Sequence, residues 1–251
     1  MHSFNSDGVE IAYETAGEGE PILLIHGFAS NAYVNWRDTG WVKTLVEAGR
    51  FVITIDNRGH GASEKLYDPA LYSAPEMAED AQRLLDHLGL KRADVMGYSM
   101  GARIAAFLTI NHGRCVNRAI FAGLASRMIT GVGGSEAIAA GLETPSLADV
   151  TDAGARSFRI FAEQTKSDLK ALAACMRASR VKITETELAR ISAPVLVVAG
   201  EKDEIAGDVA TLVAAIPGAK GVTLPGRGHM NAVGDREYKR VVLEFLHSHR
   251  D

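Results

Sequence analysis

The sequence predicts an α/β protein with a mostly parallel central sheet and helices on both of its faces. Three short, continuously apolar runs between turn residues, at 22–25, 51–55 and 195–199, have the pattern of strands buried on both sides. Residues 74–88 carry Met77, Ala81, Leu84, Leu85 and Leu88 at three- and four-residue spacing, the apolar stripe of a helix, and Gly89 marks its end. Strand and helix patterns of this kind alternate along most of the chain, as they do where crossover helices join parallel strands.

Asp7-Gly8 precedes the alternating segment VEIAYET, which predicts a tight hairpin leading into an antiparallel strand. The apolar strands at 22–25 and 51–55 follow, then the helix over 74–88. Strands are next expected at 93–98 and 116–122 around a helix over 101–111, and at 195–199 and 220–224 before a final helix over 233–249. Between 127 and 190 the alternation stops: FRIFAEQ and LKALAACMR have helical periodicity, and ITGVGG reads as a flexible entry. A helical insertion accounts for this. With no internal repeat, low-complexity tract or proline-rich linker, it is expected to pack on the sheet.

The 251 residues are 47% hydrophobic and 23% charged, enough apolar chain for a sizeable core and too little charge for disorder. Twenty-seven basic against thirty-one acidic side chains give a formal net charge of −4, of the wrong sign to gather a nucleic-acid backbone. Cys115 and Cys175 are too few for a disulfide framework and are expected to be reduced and buried. The opening MHSFNSDGVEIAYET has neither a basic start ahead of an apolar stretch nor a cleavage site, so a cytoplasmic location is expected. The longest apolar runs, such as PILLI and PVLVVAG, fall well short of the roughly 20 residues of a membrane span.

The segment that carries chemistry is Gly97-Tyr98-Ser99-Met100-Gly101, between the strand ADVMGY and the next helix. A serine on a sharp strand-to-helix turn sits in strained backbone, and the residues two before and two after it must be small for strand and helix to approach. Here both are glycine. The turn lifts the hydroxyl above the carboxyl edge of the sheet, toward free helix N–H groups that favour developing negative charge. The hydroxyl needs a base to take its proton, and the base needs an acid to hold its tautomer. Two loops at the same sheet edge offer them: Gly200-Glu201-Lys202-Asp203 and Gly226-Arg227-Gly228-His229. Glu201, Asp203 and Glu204 compete for the acid, and eight histidines compete for the base. His26 and His60 are expected to bond neighbouring backbone. His247 and His249 end a solvent-facing helix without the acidic or cysteine partners that a metal site needs.

At these residues the chain resembles the α/β-hydrolase fold family, and the resemblance runs nearly from end to end. Ser99, Asp203 and His229 stand in that family's chain order of serine, acid and histidine. Leu24-Ile25-His26-Gly27-Phe28 is similar to its oxyanion segment, and Asp56-Asn57-Arg58-Gly59-His60-Gly61-Ala62-Ser63 to the turn after its fourth strand. The resemblance implies a core of 1–126 and 191–251 with a small helical cap at 127–190. It implies Ser99 as nucleophile, His229 as base and Asp203 as its orienting acid, with the backbone N–H groups of Phe28 and Met100 as oxyanion donors. This chemistry needs neither metal nor organic cofactor.

A serine hydrolase of small-molecule carboxylic esters is therefore expected, a monomer or homodimer without nucleic-acid partners. Lactone or carbon–carbon bond cleavage by the same three residues is the enzymatic alternative, and a ligand-binding receptor on this fold the non-enzymatic one. Substrate contacts are expected from Tyr98, Met128, Phe158, Phe161 and Met176, with Ile129, Val132, Leu172, Trp36 and Trp41 equally readable as core. Asp56 is expected to cap a turn or pair with Arg58. A small cap suggests a limited pocket and short acyl chains.

Overall fold

The computed structural model describes residues 1–178 and 181–248. Eight strands among them form one sheet: β1 (His2–Ser6), β2 (Val9–Ala16), β3 (Glu20–Ile25), β4 (Arg50–Ile55), β5 (Ala93–Tyr98), β6 (Val116–Ala122), β7 (Val195–Gly200) and β8 (Lys220–Leu224). Their order is β1-β2-β4-β3-β5-β6-β7-β8. Strands β1 and β2 form the expected antiparallel hairpin, whose turn residues Asp7 and Gly8 have φ of 51° and 90°, as a tight two-residue turn demands. Strand β2 also runs antiparallel to β4, and all other pairings are parallel.

Along β3, Leu23 and Ile25 face one layer of core while Ile22 and Leu24 face the other, all fully buried. That two-sided burial is why the parallel strands read as continuous apolar runs. Helices cover both layers: α1 (Trp41–Glu47), α2 (Ala74–His87) and α3 (Met100–Asn111) in the first half of the chain. The helices α4 (Arg127–Thr130), α5 (Ser135–Glu143), α6 (Ala153–Gln164), α7 (Leu169–Arg177) and α8 (Glu185–Leu188) make the insertion, followed by α9 (Val209–Ala215), α10 (His229–Ala232) and α11 (Arg236–His247). No helix among the described residues is long and apolar enough to cross a membrane.

The expected helix over 233–249 starts three residues later, at Arg236. Asp235 turns out of the helix and its carboxylate accepts from the N–H groups of Glu237 and Tyr238, so α11 starts at Arg236 and α10 is a separate turn beginning at His229. His249 lies outside the described residues. Outside the insertion, α1, α9 and α10 are helices that the sequence patterns do not predict.

Inside the insertion, Asp152 and Asp168 cap α6 and α7, and Thr184 and Glu187 close a capping box on α8. Arg159 is buried on α6 and donates to the carbonyls of Gly141, Leu142 and Thr144, closing the end of α5. The insertion grips the core through Arg103 of α3, whose guanidinium donates to the carbonyls of Arg127, Met128 and Val181.

Candidate active site

Ser99 follows the end of β5 with φ 56° and ψ −113°, a region that L residues rarely adopt, and its N–H donates to Ala122 O at 2.7 Å. The flanking glycines are steric necessities. A Cβ on Gly97 would lie 2.1 Å from Gly101 O, and one on Gly101 would lie 2.0 Å from Ile25 O. The turn thereby brings the serine against the loop that leaves β3.

Three polar groups from three loops meet above this turn. Ser99 Oγ lies 3.0 Å from His229 Nε2, and His229 Nδ1 lies 2.8 Å from Asp203 Oδ2 and 3.0 Å from its Oδ1. An ionised carboxylate only accepts, so the imidazole proton sits on Nδ1 and the Nε2 lone pair faces the serine hydroxyl. The Asp203 side chain is fully buried and also accepts from the N–H groups of Ile205 and Ala206 at 3.0 Å each. Its sequence rivals are placed elsewhere: Glu201 accepts from Gly226 N–H, and Glu204 is exposed. Tyr98, left between core and pocket by the sequence, donates its hydroxyl to the carbonyl of His229 and bridges β5 to the histidine loop. Among the described residues, no protein group accepts from the N–H of Phe28 or Met100.

The serine opens into a cavity of about 760 Å³. Tyr98, Phe158, Phe161 and Met176 line it, as does Phe28. Met128 does not: it is wholly buried in the core, where the short turn of α4 directs it away from the cavity. Ile129 and Leu172 are likewise core, while Val132 reaches the wall. Trp36 and Trp41 are both fully buried beneath the sheet, stacked edge to face 6.4 Å apart. The sequence gives no signal for one further lining residue, Asn35, on a single π-helical turn (Tyr33–Arg37); its Oδ1 accepts from Gly27 N–H at 3.1 Å. Cys175 also lines the cavity and Cys115 is only half buried; neither forms a disulfide.

Asp56 accepts from the N–H groups of Ala32 and Ala62, so it ties two loops together. The expected pairing with Arg58 is absent because Arg58 is drawn to Asp80 at 2.7 Å, both groups being buried beside α2. His26 Nδ1 donates to Gly27 O at 2.7 Å and its Nε2 accepts from Asn57 N–H at 3.0 Å, which fixes a neutral ring. His60 Nδ1 donates to Arg58 O at 2.9 Å. Burial pushes His26 down to about 4, and burial together with the neighbouring His26 ring pushes His60 down to about 3.

Both histidines are thus neutral in the folded chain and protonate near 6.5 when unfolded. Their contribution to stability is complete above that value and is lost as pH falls from about 6.5 toward the folded values. Between pH 7 and pH 5 the urea-unfolding free energy is expected to drop by about 2 kcal/mol for each histidine. His60→Phe keeps a ring of similar size and should remove about half of that slope; an unchanged slope in the variant would refute the assignment.

Comparisons with known proteins agree with this architecture. Residues 20–134 match the sequence profile of the family described as alpha/beta hydrolase fold. Non-heme chloroperoxidase CPO-A1 of Kitasatospora aureofaciens is 37% identical over 107 residues, covering 43% of this chain and 37% of that protein. A 2-hydroxymuconate semialdehyde hydrolase of Pseudomonas putida is 37% identical over 139 residues, 53% of this chain and 46% of that one. The matched stretches thus span less than half the length of these curated relatives. The structural likeness is more extensive: a hydrolase from Pseudomonas aeruginosa PA01 superposes with a TM-score of 0.76 at 26% identity over 98% of this chain and 97% of that one. Sheet order, serine turn and profile match converge, and the chain has the α/β-hydrolase fold.

Proposed function

We propose that this chain is a serine hydrolase that cleaves carboxylic esters through an acyl-enzyme intermediate. The observation that carries the reading is the continuous relay from Ser99 Oγ through His229 to buried Asp203, at 3.0 and 2.8 Å, opening into an apolar cavity. In the acylation step His229 Nε2 takes the hydroxyl proton as Ser99 Oγ bonds to the ester carbon. The carbonyl oxygen gains the negative charge and is held by the N–H groups of Phe28 and Met100. Collapse expels the alcohol, protonated by His229, and a water activated by the same imidazole then releases the acid and restores the serine. Asp203 steadies the imidazolium in both halves.

Residues 127–190 act in this reading as a cap over the serine, with Phe158, Phe161 and Met176 of α6 and α7 forming the acyl wall. The cavity lies in the upper part of the roughly 300–1,000 Å³ range of ligand pockets, so it admits longer chains than the size of the insertion suggests. Carbon–carbon or lactone cleavage by the same relay is the second reading, supported by the likeness to the Pseudomonas putida hydrolase.

A nitrophenyl phosphonate tests the nucleophile. It is expected to release one equivalent of nitrophenol and to leave a single adduct on the peptide that holds Ser99; ester turnover with no adduct there removes the serine from the mechanism. In a series of nitrophenyl esters, kcat/KM should rise from acetyl by roughly fourfold per methylene until the cavity is filled, since each buried CH₂ contributes about 0.8 kcal/mol. Rates that are flat or fall from acetyl onward argue against the apolar acyl wall.

A further inference from the structure

The loop that carries the Phe28 N–H is held from both sides. On the core side, Asn35 Oδ1 accepts from Gly27 N–H, and Ser30 N–H closes a turn on Gly27 O at 3.3 Å. Within this turn Ala29 is fully buried and has a φ of 59°, which a residue with a Cβ adopts only when its surroundings enforce it. On the other side stands the helical insertion. Thr165, at the end of α6, donates its hydroxyl to Ala29 O at 2.9 Å, and Phe158 of the same helix packs edge to face on Phe28 at 5.8 Å.

A threonine hydroxyl has one proton to give. Thr165 Oγ1 lies 2.9 Å from Ser167 Oγ, 2.9 Å from Ala29 O and 3.1 Å from Ala162 O. All the strong contacts are satisfied when Ser167 donates to Thr165 and Thr165 donates to Ala29, the nearer carbonyl. Each bond then polarises the next. Lys166, the residue between them, has φ 54°, and Ser167 N–H bonds back to Ala162 O, so the chain reverses sharply at the end of α6 and keeps both hydroxyls together.

Resting on the serine-hydrolase reading above, we infer that Thr165 is a positioning residue through which the insertion sets the oxyanion donor. Its bond fixes the carbonyl of Ala29, and hence the rotation of the strained turn about the Gly27–Ser30 closure. The Phe28 N–H, one residue earlier, takes its direction from that rotation. An insertion displaced from the core releases the turn, so full oxyanion stabilisation is reached only with α6 docked. Thr165 touches neither substrate nor serine and acts through backbone it holds.

The test is steady-state hydrolysis of nitrophenyl butyrate by the full chain and by Thr165→Val and Thr165→Ser. Valine keeps the volume and lacks the donor, and is expected to lower kcat by about 10–100-fold with KM little changed, as a misplaced oxyanion donor does. Serine restores the hydroxyl and should return kcat to within a few-fold of the parent. A boronic acid that forms a tetrahedral adduct on Ser99 should bind Thr165→Val more weakly by the same factor as kcat/KM falls, a correlation that loss of packing does not produce. An unchanged kcat in folded Thr165→Val overturns the proposal, as does a Thr165→Ser variant as slow as the valine. If the parent enzyme neither turns over the ester nor takes the phosphonate at Ser99, the hydrolase reading itself fails and this inference falls with it.

Discussion

Ser99→Ala is expected to lower kcat for nitrophenyl ester hydrolysis by about 10⁴–10⁶-fold while leaving the thermal midpoint near that of the parent. The loss is large because the relay acts as a unit: without Oγ, neither the placement of His229 nor the charge of Asp203 has a nucleophile to act on. Stability should change little, since the side-chain bond lost is the one from Oγ to His229 at 3.0 Å. Alanine must adopt the same φ of 56° as serine, so backbone strain does not differ between the two. Asp203→Asn provides a companion measurement. The amide can present its NH₂ to Nδ1 and favour the opposite tautomer, which turns a ring N–H toward Ser99 and removes the base; a loss of about 10⁴ in kcat is expected. Residual activity above a hundredth of the parent in Ser99→Ala would sink the covalent mechanism. A similar residue of activity in Asp203→Asn alone would leave the serine in place and remove the carboxylate from its assigned role.

The features legible in the sequence are those whose physical demands act over a few residues. A strand buried on both faces must be apolar throughout, which is why β3, β4 and β7 stand out as runs. The serine turn is legible because no residue but glycine fits where a Cβ would lie 2.0 or 2.1 Å from a carbonyl oxygen. Asp203 and His229 are legible because each follows a strand that ends on the same edge as Ser99. Other features depend on distant packing. Helix α9 is a short apolar segment without a polar stripe, so periodicity does not announce it. Arg58 chooses Asp80 over Asp56 because α2 carries Asp80 to it across 22 positions of chain. Met128 has the composition of a pocket residue, and only the direction of its turn sends it into core. Asn35, Arg103 and Thr165 join segments that no local pattern connects.

The largest stability effect is expected far from the serine, at the opposite edge of the sheet. Asp94, the second residue of β5 and fully buried, accepts from Arg118 Nε at 2.7 Å and from Arg50 Nη1 at 2.9 Å. Both arginines are buried as well, and Arg118 also donates to Leu246 O at 2.6 Å, which fastens the end of α11 to strands β4, β5 and β6. A second carboxylate, Glu20, is half exposed and reaches Arg50 at 2.7 Å and Arg118 at 3.3 Å. Asp94→Ala therefore takes the buried carboxylate away from two buried cations. Breaking a buried pair from one side typically costs about 3–5 kcal/mol, more than the pair itself contributes, because the abandoned charges have lost their water. The urea midpoint should fall accordingly, with Asp94→Asn intermediate, since the amide oxygen still accepts one guanidinium bond. Activity measured well below the new midpoint should be close to that of the parent: β5 separates Asp94 from Ser99 by about 15 Å of extended chain, and neither guanidinium touches the cavity. A fall in stability of less than about 1 kcal/mol would mean that water or Glu20 replaces the lost carboxylate without penalty, and that this cluster is not what anchors α11.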